Sequence, residues 1–247
     1  PRQGDKGESR SLERGPGRRA IVARRAEVSY DPGMATATTN GEFETLLARL
    51  AERAGRLKTA ANWPAEQLGW LAEAGVLGWV IPRECGGSDV DPGALMTGYE
   101  RLAAACLTTT FILTQFNGAC QRMAAAEEGE FDRQEWLPRL ARGELFATVG
   151  ISHLSTSRQH LRRPGGTIER NGGDYVLEGE VPWVTGAPHA DVIVTGGTCS
   201  DGGQMLVAVP CDAAGVEAGR PADLLALSGS CTAGVKRGRG GVPARQR

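Results

Sequence analysis

Two side chains on one predicted strand, Trp183 and Thr185, carry the clearest chemistry in this chain. The segment YVLEGEVPWVTGAPHADV (175–192) reads as a β-hairpin with both on its return strand. A large π surface beside a hydroxyl suits a planar heteroaromatic ring, which has apolar faces and a hydrogen-bonding rim. The plain alternative is an aromatic side chain packed across strands in a barrel. Upstream, ATVGISHLSTSR (147–158) contributes Thr148 and Ser155. Its backbone amides, with Ser155, Thr156 or Ser157, could hold a phosphate oxygen. Arg158, Arg162 and Arg163 follow and could meet a phosphorylated substrate, or simply form a solvated loop.

Other chemistries find little support. No G-x-S-x-G elbow surrounds Ser155 or His160, so nucleophilic hydrolysis is not indicated. The histidines at 153, 160 and 189 have no carboxylate or cysteine at metal-ligand spacing. The six cysteines form no C-x-x-C pair and read as buried or half-buried thiols in a reducing compartment. Glycines near 196–203 lack the strand–G-x-G-x-x-G–helix setting of a dinucleotide fold. No catalytic residue is assigned.

The elements that must position these residues change in kind near Gly143. Before it, the period is helical. Thr39 and Glu42 fit a capping box, and Phe43, Leu46, Leu47, Leu50, Ala54 and Leu57 form one apolar stripe. A second helix is expected from Pro64 to Gly75, and a third from Pro92 to about Cys106, capped by Asp91. The third should turn Leu95, Met96, Tyr99, Leu102 and Ala103 inward. A fourth, from about Thr110 to Ala126, is apolar almost all round and so central. After Gly143, ELFATVGI, GTIER, DYVLEGEVPWVTG, ADVIVTGG and QMLVAVP read as strands, with turns at Asn171-Gly172-Gly173 and Asp201-Gly202-Gly203. Helices followed by strands argue for an α+β chain: an N-terminal all-α helical bundle followed by a β-barrel-like middle domain.

Composition agrees with a folded chain. With 40% hydrophobic and 23% charged residues, the sequence is globular rather than disordered. A net charge of −1 gives no footprint for nucleic acid or an anionic membrane. No apolar run approaches the roughly 20 residues needed to span a bilayer, and the N-terminus lacks a secretory apolar core. The expected location is cytoplasmic. Residues 1–33 read as a disordered tail or an upstream extension, 34–143 as the helical domain and 144–235 as the β domain. Residues 236–247 read as a basic tail or an out-of-frame segment.

Three stretches carry a family resemblance. DRQEWLPRLARGELFAT (132–148) resembles the "LP-LA-G" helix end and flavin-contacting strand of the acyl-CoA dehydrogenase family. The hairpin carrying Trp183 and Thr185 resembles its G-x-x-x-W-[IV]-T segment, and GVLGWVIPRECGG (75–87) resembles its G-x-x-G-x-x-x-P-x-x-x-GG segment. The resemblance runs from about Phe43 to Val235 and implies FAD as cofactor. It implies flavin contacts at Thr148, Ser155, Trp183 and Thr185, an acyl-CoA-type substrate oxidised at Cα–Cβ, an external electron acceptor and a homo-oligomer. The family's T-E-P-x-x-G-S-D segment is altered here: aligning its serine with Ser155 places Val149 at the threonine, with Thr148 one position early. The family's catalytic carboxylate lies on a C-terminal bundle, which is expected to be missing from this chain. A flavin-dependent monooxygenase of the same fold, or a non-catalytic two-domain binding module, are the alternatives.

Overall fold

The computed structural model describes residues 40–126, 131–155, 165–171 and 174–243. Five helices come first: α1 (Asn40–Ala54), α2 (Ala65–Glu73), α3 (Pro92–Ala105), α4 (Leu107–Ala124) and α5 (Arg133–Ala141). The expected capping residue Thr39 lies outside the described residues. Phe43, Leu46 and Leu50 of the apolar stripe are buried, as a helical period requires, while Leu57 is buried beyond the end of α1. Asp91 caps α3: its Oδ1 accepts from the backbone N–H of Gly93 and Ala94 at 3.0 and 3.1 Å. Replacing Asp91 by Ala should destabilise the chain by about 0.5–2 kcal/mol, read as an earlier melting midpoint.

Helix α3 departs from expectation at Met96, which is 64% exposed; only Leu102 of the predicted inward set is fully buried. The helix packs on α1 and α4, and much of its remaining surface, Met96 included, is uncovered. Helix α4 is central, as its all-round apolarity predicts. It buries Ile112, Leu113, Phe116, Ala119, Cys120 and Met123 and touches α3, α5 and two strands of the sheet.

The remainder is a curled mixed sheet of seven strands: β1 (Ala147–Val149), β2 (Gly166–Asn171), β3 (Asp174–Val184), β4 (Val192–Thr198), β5 (Gln204–Pro210), β6 (Val216–Ala218) and β7 (Ala233–Pro243). A short helix, α6 (Ser152–Ser155), follows β1. Strand β4 pairs antiparallel with β5; on its other side β1 runs parallel along 192–194 and β2 meets it at Thr198. From β2 the sheet continues through β3 and β7 to β6. One core joins the layers, from Leu50 and Phe116 to Val181, Val192 and Val235. The curled sheet matches the barrel-like expectation.

The sheet runs further than the sequence suggested. Lys236 to Pro243, expected to form a basic tail, continue β7 and pair with β3 and β6. Ladder bonds need only backbone, so charged and glycine-rich residues can hold a register without an apolar pattern. Lys236 stays exposed, whereas Arg237 is buried, with 5% of its surface exposed. Gly172 and Gly173 of the expected turn, and residues 127–130, lie outside the described residues.

Candidate functional site

Trp183 stands out because it is both exposed and strained. It is 63% exposed, near the end of β3, between the buried Val181 and Val184. Its φ of 60° is uncommon for a bulky side chain. The cause is local: the β3–β7 register slips between Val181 and Val184, and Trp183 sits in that irregularity. The bulge turns the indole out of the ladder instead of letting it pack between strands. Its neighbour Pro182 is pinned from the other side, its carbonyl accepting from Ser152 Oγ at 2.8 Å. That bond ties α6, and with it Ser155 at the helix end, to the strand carrying Trp183.

Thr185, two residues on, is buried, and so is Thr148. Thr148 Oγ1 donates to the Thr185 carbonyl at 2.8 Å, linking β1 to the end of β3. That hydroxyl is therefore committed to the fold. What β1 presents outward is backbone. It is an edge strand. The Phe146 carbonyl accepts from Asp191 N–H and the Gly150 N–H donates to the Val194 carbonyl. By alternation, the N–H and C=O groups of Ala147 and Val149 point away from β4. The structure thus brings Thr148, Thr185, Trp183 and the helix ending in Ser155 into one neighbourhood. Thr156, Ser157, Arg158, His160, Arg162 and Arg163 lie outside the described residues.

Two hydroxyls that the sequence reading passed over join this neighbourhood. Ser230 and Thr232 are buried, their oxygens 2.8 Å apart, and Thr232 Oγ1 lies 3.4 Å from Thr185 Oγ1. The Ser230 carbonyl accepts from Gly186 N–H at 2.9 Å. At Gly186, φ is +66° and an added Cβ would press on Trp63 and Phe146 at 2.8 and 2.9 Å, so glycine is required there. No short motif marks Ser230 and Thr232; only their fold neighbours do.

A second polar cluster lies deeper in the sheet. Arg237 Nη1 donates to the Gly196 carbonyl at 2.8 Å, and His153 Nε2 lies 2.9 Å from the same oxygen. The guanidinium and imidazole face each other at 3.5 Å. Among the described residues no carboxylate pairs with Arg237, and its Nε and His153 Nδ1 have no partner. Burial holds the Arg237 pKa down to about 10. Burial also lowers that of His153, and the neighbouring Arg237 charge adds to the effect. Among the described residues no group of His, Cys, Asp and Glu side chains could hold a metal ion, and no helix is long and apolar enough to cross a membrane.

The helices, the curled sheet and the outward-turned indole define a two-layer α+β scaffold with an exposed aromatic side chain near the end of β3. Residues 42–144 match the acyl-CoA dehydrogenase N-terminal domain. Probable acyl-CoA dehydrogenase YngJ of Bacillus subtilis is 29% identical over 196 residues, covering 75% of this chain and 50% of that protein. An L-prolyl-[peptidyl-carrier protein] dehydrogenase of Pseudomonas fluorescens is 30% identical over 196 residues, covering 76% and 50%. In fold, the chain is similar to an acyl-CoA dehydrogenase from Bacillus anthracis solved in complex with FAD. There the TM-score is 0.70 at 19% identity, over 89% of this chain and 39% of that one. The chain belongs to the acyl-CoA dehydrogenase family. It spans about half the length of the curated relatives it matches.

Proposed function

We propose that this chain supplies the helical and flavin-binding β portions of an FAD-dependent dehydrogenase that oxidises an acyl thioester at Cα–Cβ. The supporting observation is Trp183, an exposed indole held outward by a strained bulge, next to buried hydroxyls and the edge strand β1. An isoalloxazine ring fits such a place, because it needs an apolar platform and hydrogen-bonding partners along its rim. Bound FAD would supply the hydride acceptor for the reaction. The protein's own part is to hold and orient. Trp183 provides the stacking face, the half-buried Val149 turns its N–H and C=O away from β4 to offer hydrogen bonds, and Thr185 offers its hydroxyl. Thr148 acts indirectly by fixing the Thr185 carbonyl, and Ser155, at the end of α6, would serve a phosphate oxygen. An external electron acceptor and self-assembly belong to the same reading.

Acyl thioester is the substrate class that the relatives' names share; the carrier is coenzyme A in one and a peptidyl-carrier protein in the other. Anaerobic addition of acyl-CoA, and separately of an acylated carrier protein, to FAD-loaded protein distinguishes them. Loss of visible flavin absorption with either supports dehydrogenation and names the carrier. One fold neighbour is a 3-HSA hydroxylase from Rhodococcus, which keeps an oxygen-dependent reaction as the second reading. Product formed only with reduced flavin and oxygen, without bleaching by thioester, would favour it.

A further inference from the structure

Backbone strain in this chain is concentrated around one small polar cluster. Among the described residues, four that are not glycine have positive φ: Asp89, Trp183, Leu227 and Cys231. Three of the four frame the Trp183–Thr185 segment and the turn from Leu227 to Thr232. Residues held in the left-handed region cost about 1–3 kcal/mol each and persist only where their surroundings over-determine them. The surroundings here do so. Cys231 Sγ donates to the Ala60 carbonyl at 3.1 Å, and a Cβ at Gly229 would stand 2.9 Å from the Leu57 carbonyl. The α1–α2 connection therefore clamps the turn, and Gly186 N–H holds it from the sheet side.

The product of this strain is a row of buried hydroxyls. Ser230 Oγ and Thr232 Oγ1 lie at 2.8 Å, although residues two apart in a regular strand point the same way only at greater spacing. Thr232 Oγ1 then reaches Thr185 Oγ1 at 3.4 Å. Each hydroxyl has one proton and two acceptor sites, so a row of three can run in one direction only if every donor has a taker. When Ser230 donates to Thr232 and Thr232 to Thr185, one acceptor site of Thr185 is taken and its own proton is left over.

We propose that Ser230 and Thr232 are positioning residues that lock the Thr185 hydroxyl in one rotamer as a free donor for the ring stacked on Trp183. The flavin end of this proposal rests on the reading given above; the locking itself does not. In the apo chain, NMR scalar couplings should report one χ1 rotamer for Thr185 in the wild type and in Thr232→Ser. Thr232→Val, which keeps shape and removes the hydroxyl, should give rotamer averaging. A single unchanged rotamer in Thr232→Val would overturn the locking.

With FAD bound, Thr232→Val should shift the visible flavin bands and weaken FAD binding about two- to tenfold, the range for one hydrogen bond. Thr232→Ser should restore both. A purely structural role would lower the melting temperature of Thr232→Val and leave the flavin spectrum of the bound fraction unaltered, which also defeats the proposal. A wild type that binds no FAD overturns the functional reading and the flavin end together, while the rotamer measurement still decides the locking.

Discussion

Replacing Trp183 by Ala should weaken FAD binding by about 5- to 100-fold while changing the melting temperature little. The range follows from aromatic stacking on a nucleobase-like ring, worth about 1–3 kcal/mol per contact. Stability should hardly move because the indole is mostly exposed and makes few packing contacts to lose. Alanine keeps the unfavourable φ, so the bulge itself is not relieved; Trp183→Gly should relieve it and gain stability while losing FAD equally. The contrast is Trp63, which stacks on His189 at 4.4 Å and meets Phe146 edge-on. Its loss should cost stability, because it packs the helical layer onto the sheet. Equilibrium dialysis of FAD beside thermal melts of both variants separates the two roles. An unchanged FAD affinity in Trp183→Ala would remove Trp183 from the site.

Replacing Arg237 by Met should stabilise the fold by about 1–3 kcal/mol, or roughly 2–10 °C in melting midpoint. A buried guanidinium with one carbonyl acceptor and no carboxylate has lost its hydration without an equivalent return. Methionine fills similar length without the charge. The pH dependence has a definite sign. Folding lowers the Arg237 pKa to about 10 from the ordinary guanidinium value, so below about pH 10 the unfolded chain and the fold both carry the proton and the full penalty stands. The penalty fades as pH rises from about 10 toward the ordinary guanidinium value. His153 works in the same sense at lower pH. Its folded pKa is lowered, so stability is lost as pH falls through the ordinary imidazole value near 6.5, where the unfolded chain takes up a proton first. Arg237→Met removes one cause of that lowering and should flatten the acid limb of a melting-temperature profile. A lower melting temperature for the variant across this range would show that the charge is compensated.

Much of the architecture was legible because its signals are local. The stripe from Phe43 to Leu57, the Asp91-Pro92 start and the alternation in QMLVAVP each follow from spacing alone. Met96 was misread because periodicity reports which face is apolar, and not whether a neighbour is long enough to cover it. Residues 236–243 were misread because a strand's ladder is made by backbone, which leaves no mark in a glycine- and arginine-rich sequence. Trp183 and Thr185 could be singled out by type and spacing. The roles of Ser152 and Thr232 could not: they depend on contacts made across 30 residues to Pro182 and across 47 to Thr185, and Ser230 joins the site only through Thr232. The same holds for Thr148, whose hydroxyl turned inward to the Thr185 carbonyl and left backbone as what β1 presents.

The central claim is that the curled sheet holds a flavin against Trp183, and a fluorescence titration of FAD with the purified chain tests it most directly. An indole stacked on the isoalloxazine should quench the flavin emission, so the account predicts saturable quenching that is lost in Trp183→Ala. Flavin emission that stays bright and non-saturating with excess wild-type chain would contradict it.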